Sequence, residues 1–173
     1  MDTIVCPPIE LPDVNATLAL GHFFTYTLTP LQQNCIICLK GEMGSGKTTF
    51  VRGFIESLPG GENADVSSPS FNLANLYPTR PPTAHLDLYR LETEDACLTT
   101  DEYLDTPFGR ESGFIIIEWA ERLGNELALE RHLDIALTIT PTGRQAVCTL
   151  VTDHTDPLRQ SICKGLAAMR SRQ

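Results

Sequence analysis

Gly41-Glu42-Met43-Gly44-Ser45-Gly46-Lys47-Thr48 fits the pattern Gly-x-x-x-x-Gly-Lys-Ser/Thr at every fixed position. Upstream, Cys35-Ile36-Ile37-Cys38-Leu39 is a short apolar run of strand type. Downstream, Thr49 to Leu58 places Phe50, Phe54 or Ile55, and Leu58 at helical spacing. Strand, glycine loop and helix is the order a phosphate loop requires.

The spacing follows from charge and sterics. Backbone N–H groups must converge on phosphate oxygens, so glycine is needed where a Cβ would block approach or φ is positive. The helix beginning near Lys47 points its unpaired N–H groups at the same oxygens. Lys47 supplies a cation for the β and γ phosphates, and the small Thr48 hydroxyl suits Mg²⁺. The run Gly41, Glu42, Met43, Gly44, Ser45, Gly46, Lys47 and Thr48 is therefore expected to bind a nucleoside triphosphate with Mg²⁺.

Composition sets the frame around this loop. The 173 residues are 42% apolar and 20% charged, enough for one sizeable core. No run approaches a transmembrane span, and the N-terminal residues lack a basic region and an apolar core. A cytoplasmic protein without a membrane partner is expected. A net charge of −9 and a pI near 4.8 argue against a direct grip on nucleic acid, so any contact with RNA should run through partners. Of six cysteines only Cys35 and Cys38 are close, in a Cys-x-x-Cys spacing. On a strand these two face opposite sides about 10 Å apart, beyond the roughly 7 Å limit for a disulfide, so they read as core.

Along the chain, Ile9 to Leu11 reads as a short strand. Pro12 and Asp13 open a helix carrying Val14, Leu18, Phe24 or Tyr26, and Leu28, with Gly21 as an anomaly in its middle. Phe71 to Tyr77 and Ala84 to Arg90 both alternate and are joined by a Pro-rich turn, which predicts a hairpin. The acidic stretch from Leu91 to Gly109 predicts one or two short helices, around Thr93 to Leu98 and Thr100 to Leu104. Phe114 to Ile117 reads as a doubly buried strand ending on Glu118 and Trp119, followed by a helical turn over Ala120 to Leu123. Leu133 to Thr140 and Gln145 to Thr152 are strand-like, and Pro157 to Met169 reads as a helix.

Phosphate-loop chemistry needs a carboxylate near Mg²⁺, usually at the end of a neighbouring apolar strand. Glu118 stands there, with a longer side chain than the commoner Asp; the alternative is a helix-start glutamate with no metal role. Asp87 is the second candidate, flanked by His85 and Tyr89 on one polar face; the alternative is that these groups satisfy one another or Arg90.

Several motifs in one order now carry a resemblance. They are Leu11-Pro12-Asp13 with Ala16-Thr17-Leu18, the phosphate loop through Thr49, Ser68-Pro69-Ser70-Phe71, His85-x-Asp87-x-Tyr89-Arg90-Leu91, Glu118-Trp119 and Gly143-Arg144. The chain resembles the TsaE (YjeE) family, small ATPases that support threonylcarbamoyladenosine (t6A) modification of tRNA. The resemblance implies that Thr48, Asp87 and Glu118 serve the Mg²⁺ site, that Lys47 holds phosphates, and that Lys47, Asp87 and Glu118 carry catalysis. It implies a switch-like loop at Ser68, Pro69, Ser70 and Phe71, and Thr17 and Arg144 near the nucleotide. It implies partners related to TsaB and TsaD, with tRNA reached only indirectly. Ser70 stands where the family usually has Thr, and Ala120 follows Trp119 where Pro is common.

The expected fold is a single α/β domain over residues 1–173. It is a P-loop NTPase-like three-layer arrangement with a mostly parallel sheet and antiparallel hairpin additions, and residues 153–173 form a tail or helix of unassigned role. The expected activity is ATP hydrolysis, slow alone and stimulated by partners. A small-molecule kinase and a noncatalytic nucleotide-sensing adaptor are the rivals; the absence of arginine between residues 91 and 109 counts against a kinase lid. Trp119 beside Glu118 reads either as core or as a rim residue contacting a partner.

Overall fold

The computed structural model describes residues 2–110, 112–124, 129, 131–153, 156 and 158–170. In chain order these form β1 (Asp2–Val5), β2 (Ile9–Leu11), α1 (Val14–Leu28), β3 (Cys35–Lys40), α2 (Lys47–Glu56), β4 (Ala74–Tyr77) and β5 (Thr83–Asp87). There follow α3 (Thr93–Leu104), α4 (Pro107–Arg110), β6 (Phe114–Glu118), β7 (His132–Thr140), β8 (Gly143–Thr152) and α5 (Leu158–Arg170). Short 3-10 turns cover Thr29–Leu31 and Ala120–Leu123.

One sheet takes up all eight strands in the order β1-β8-β7-β3-β6-β5-β4, with β2 also on β8. Its centre is parallel, since β3 pairs in parallel with β6 and β7, and β6 with β5. The flanks are antiparallel: β4 on β5 on one side, and β8 with β7, β1 and β2 on the other. The parallel reading therefore holds for the centre, and antiparallel strands make up more of the edges than the sequence suggested.

The centre is parallel because its strands are buried on both faces and read as unbroken apolar runs. Alternation along β3 and β6 splits their side chains between two cores. Cys35, Ile37, Leu39, Phe114 and Ile116 join a core completed by α1, α2 and α5. Ile36, Cys38, Ile115 and Ile117 join the opposite one, beneath α3. Cys35 and Cys38 are thus buried free thiols on opposite faces, and burial pushes Cys35 up to about 12.

Glycine sets the spacing of α1 and α2. A Cβ on Gly21 would lie 2.4 Å from the Phe50 carbonyl oxygen, and one on Gly53 would lie 2.3 Å from the Leu18 carbonyl oxygen. The backbones touch, so Gly21 is a packing requirement. Of the predicted face, Phe24 and Leu28 are buried and Leu18 is half-buried, whereas Val14 is exposed; of the pair Phe24 or Tyr26 it is Tyr26 that faces out, and Leu20 joins the core instead.

Three other expectations change. The strand predicted from Phe71 begins only at Ala74, because the Pro69 carbonyl accepts from the Asn72 and Leu73 amides and Leu73 takes φ 65°. Phe71 is left 81% exposed. The partner strand ends at Asp87, before Arg90, where the chain turns. In the acidic stretch one helix, α3, runs unbroken through Thr99 and Thr100 where two short ones were possible, with Thr100 Oγ1 donating to the Ala96 carbonyl at 2.9 Å, and α4 begins at Pro107. Strand β1 was not anticipated at all. At the far end, α5 buries Leu158, Ile162 and Leu166 in the α1 core; Pro157, the predicted start, lies outside the described residues.

Candidate functional site

Residues 41–46 leave the carboxyl end of β3 and enter α2 with three glycines at positive φ: Gly41 at 136°, Gly44 at 78° and Gly46 at 105°. Only glycine adopts such angles without strain. Gly41 is also sterically confined, since a Cβ there would sit 2.1 Å from the Leu137 carbonyl oxygen of β7. Gly46 is the N-cap of α2 and offers no side-chain acceptor to the first turn, so those N–H groups are free to meet an anion.

Lys47 opens the helix and folds back over its own loop. Its Nζ donates to the Gly41 carbonyl at 2.6 Å and the Glu42 carbonyl at 2.9 Å, and it lies 3.9 Å from the Trp119 ring centroid. Burial lowers its affinity for the proton, against the pull of the Glu118, Glu121, Asp87 and Glu42 carboxylates. A cation that is costly to keep buried is well matched to a polyanion.

Two carboxylates face this loop because of strand register. Asp87 pairs with Glu118 where β5 and β6 end, which sets their backbones about 4.8 Å apart on the α2 side of the sheet. Glu118 Oε1 accepts from Thr48 Oγ1 at 2.8 Å and pairs with His85 Nε2 at 2.9 Å. Asp87 accepts from the Ser68 hydroxyl through Oδ2 and from the Tyr89 amide through Oδ1, the latter at 2.9 Å. Both carboxylates are almost wholly buried, yet both open into a cleft of about 550 Å³.

The cleft gathers most of the predicted residues. Met43, Gly44, Gly46, Lys47, Thr48 and Thr49 form one wall; Ser68, Ser70, Asp87, Glu118 and Trp119 form the other, and Arg144 closes the end. Arg144 donates to the Gly44 carbonyl from Nε at 3.2 Å and Nη2 at 3.0 Å. Thr17 and Arg144 flank Gly46, where an added Cβ would lie 3.3 Å from each. Thr17, Gly41, Glu42, Ser45, Pro69 and Phe71 are not lining residues; Thr17 and Ser45 are buried, whereas Glu42 and Phe71 are exposed. Trp119 is half-buried, packed on the Tyr89 ring at a centroid distance of 4.8 Å.

Sequence reasoning assigned no role to four groups that the structure brings in. His85 sits behind Glu118, Tyr89 and Arg90 line the cleft, and Glu121 Oε1 accepts from the Gly41 amide at 3.4 Å. The alternation of His85, Asp87 and Tyr89 was the available signal for the first two.

The donor set fits a hard divalent cation: a hydroxyl from Thr48 and carboxylates from Glu118 and Asp87 are all oxygen. Among the described residues, no group of three or more His, Cys, Asp or Glu side chains is placed to hold an ion by itself. Mg²⁺ matches that shortfall, because it keeps several waters and takes further oxygens from a phosphate.

The chain is similar to known proteins. A family model described as "Threonylcarbamoyl adenosine biosynthesis protein TsaE" matches residues 11–146. The tRNA threonylcarbamoyladenosine biosynthesis protein TsaE of Nostoc sp. is 36% identical over 143 residues, covering 82% of this chain and 84% of the relative. The protein of the same name from Bacillus subtilis is 37% identical over 130 residues, covering 75% and 78%. In three dimensions the crystal structure of Bacillus subtilis YdiB superposes with a TM-score of 0.63 at 24% identity, over 96% of this chain and 95% of that one, a likeness of fold. Among the described residues no helix is long and apolar enough to cross a membrane.

Proposed function

Because the chain belongs to the TsaE family of threonylcarbamoyl adenosine biosynthesis proteins, we propose that it is a Mg²⁺-dependent ATPase. Its ATP cycle acts on partner proteins related to TsaB and TsaD during t6A modification of tRNA. Residues 1–173 work as one domain. The observation that carries the reading is the hydrogen bond from Thr48 of the phosphate loop to Glu118 at the end of β6, with Asp87 beside it in register.

The roles follow from position. The loop amides and the first turn of α2 hold the phosphates, and Lys47 exchanges its two carbonyl acceptors for phosphate oxygens. Thr48, Glu118 and Asp87 would hold Mg²⁺, which when bound would neutralise phosphate charge. Asp87, oriented by Ser68 and the Tyr89 amide, presents a carboxylate oxygen that can accept a proton from an attacking water. Arg144 ties the loop to the β7–β8 hairpin and closes the end of the cleft near Thr17.

Coupling to partners rests on the opposite wall. Phe71 is exposed, with the Arg90 guanidinium 4.2 Å from its ring centroid, and Ser68 three residues earlier touches Asp87. A partner that engages this loop and the Trp119 rim completes the site and raises a slow basal rate. With a net charge of −9 the chain leaves tRNA contact to those partners.

Reconstitution tests the proposal: t6A formed per tRNA is measured with TsaB- and TsaD-like proteins and the other substrates of the modification, with and without this chain. Repeated turnover should require the parent chain and ATP and fail with Lys47→Ala. Equal turnover without the chain would remove the assigned role.

A further inference from the structure

Glu118 Oε1 carries two donors, and the second is not part of the phosphate loop. Thr48 Oγ1 lies 2.8 Å away and His85 Nε2 2.9 Å away, and among the described residues no hydrogen bond reaches Oε2. A carboxylate only accepts, so His85 must present its Nε2 hydrogen to Glu118.

The imidazole is held in place from several sides. His85 is fully buried in β5, flanked in register by Asn75 of β4 and Ile116 of β6. The Tyr77 ring stacks against it with centroids 6.5 Å apart and planes 23° from parallel. Its Nδ1 is buried with no partner among the described residues, so Glu118 is the one polar contact the ring makes there. A buried ring that leaves one nitrogen unpaired and spends the other on a cleft carboxylate is poorly explained as core filling.

We infer that His85 is a positioning residue. Its Nε2–H, acting with Thr48, pins Oε1 of Glu118 and so turns Oε2 toward the metal shell. The inference rests on the reading that Glu118 serves the Mg²⁺ site. Glutamate is where such a brace is needed: its side chain has one more rotatable bond than the aspartate commonly found at the end of this strand, and a donor on one oxygen removes that freedom.

The test uses the 173-residue chain and three variants. His85→Gln retains an amide nitrogen at the reach of Nε2. His85→Phe keeps the ring volume without a donor, and His85→Asn, with a donor too short to reach Glu118, replaces it if the Phe variant does not fold. Mg²⁺ affinity is titrated with a nonhydrolysable ATP analogue bound, and analogue affinity is measured separately in chelator. Loss of the donor should weaken Mg²⁺ about tenfold, a typical effect of losing a partner that orients a ligand, and Gln should recover most of it. Analogue affinity in chelator should be equal across the series, which a general loss of structure would not give. Unchanged Mg²⁺ affinity in the Phe or Asn variant overturns the inference, as does a Gln variant as weak as they are.

Crystal structures of the parent and the donor-less variant keep the two readings apart. If the parent shows no Mg²⁺ dependence, the metal reading falls by itself. Positioning is then decided by whether the Glu118 carboxylate leaves Thr48 Oγ1 when the donor is removed. A carboxylate that stays in place would overturn it.

Discussion

The two walls of the cleft are built in different ways. The phosphate-loop wall is fixed by backbone: Gly41 is pressed against the β7 carbonyl of Leu137, and Arg144 and Lys47 both donate to loop carbonyls. The facing wall, residues 68–73, is tied to the site by the Ser68 bond to Asp87 and the Asp87 amide bond to the Leu73 carbonyl, with Phe71 turned out under Arg90. One wall is shaped before any ligand arrives, and the other hangs on contacts that a ligand or partner can exchange. Substitutions in the first wall should therefore alter folding and binding, and substitutions in the second should alter turnover.

The largest effect separates two glycines of the same loop. Gly41→Ala combines φ 136° with a Cβ 2.1 Å from a backbone oxygen, whereas Gly44, at φ 78°, has nothing within 4 Å of its would-be Cβ. Chemical denaturation should show Gly41→Ala losing about 3 kcal/mol or more and Gly44→Ala only about 1 kcal/mol. Equal losses would mean that the loop is not braced on β7.

Lys47→Ala should keep the fold but lower the melting temperature, for the two loop-carbonyl bonds it loses, and reduce ATP affinity by roughly 10- to 100-fold, the loss of a charge-assisted hydrogen bond. Calorimetry reads it. Ser68→Ala sharpens the contrast from the other side: hydrolysis should fall about threefold to tenfold, for one hydrogen bond to a carboxylate, with nucleotide affinity unchanged. A binding defect in Ser68→Ala would place the second wall in the binding machinery as well.

The smallest signal is a proton. Burial lowers the Lys47 pKa, and phosphate oxygens would raise it again. Between the lowered value and the value with phosphate bound, the free chain has released a proton that the complex retains, so nucleotide binding at alkaline pH should take one up. The heat of binding should then vary with the ionisation enthalpy of the buffer. By the same sign, the cost of burying the charged amine is present below the lowered pKa and fades as pH rises through it, so this group adds stability toward pH 10.5.

What the sequence made legible divides along the same line. The phosphate loop, the strand of Phe114 to Ile117 and Glu118 at its end could be read because each depends on local pattern: glycine spacing, an apolar run, and a charge where the run stops. Asp87 was visible as a candidate through alternation with His85 and Tyr89, but its place beside Glu118 is a matter of strand register, which no single segment encodes. In α1 the apolar spacing located Phe24 and Leu28 but not Leu20 or the exposed Val14, because the contact of the Gly21 and Gly53 backbones with α2 and α1 also sets which residues face the core. The strand expected from Phe71 forms the predicted hairpin but starts only at Ala74, for a local reason. Alternation favoured a strand, while the bonds from the Asn72 and Leu73 amides to the Pro69 carbonyl turned the chain there and left Phe71 outside.

The central claim is that Thr48, Asp87 and Glu118 form a Mg²⁺ site that drives ATP hydrolysis. Its most direct test is release of labelled phosphate from ATP by the parent, Asp87→Ala and Glu118→Ala chains, with Mg²⁺ or with chelator, alone and with the partner proteins. The account predicts a slow Mg²⁺-dependent rate that partners raise, reduced about 100-fold in either variant while nucleotide affinity in chelator stays within about threefold. Parent-level hydrolysis in either variant, or a rate indifferent to chelator, would contradict it.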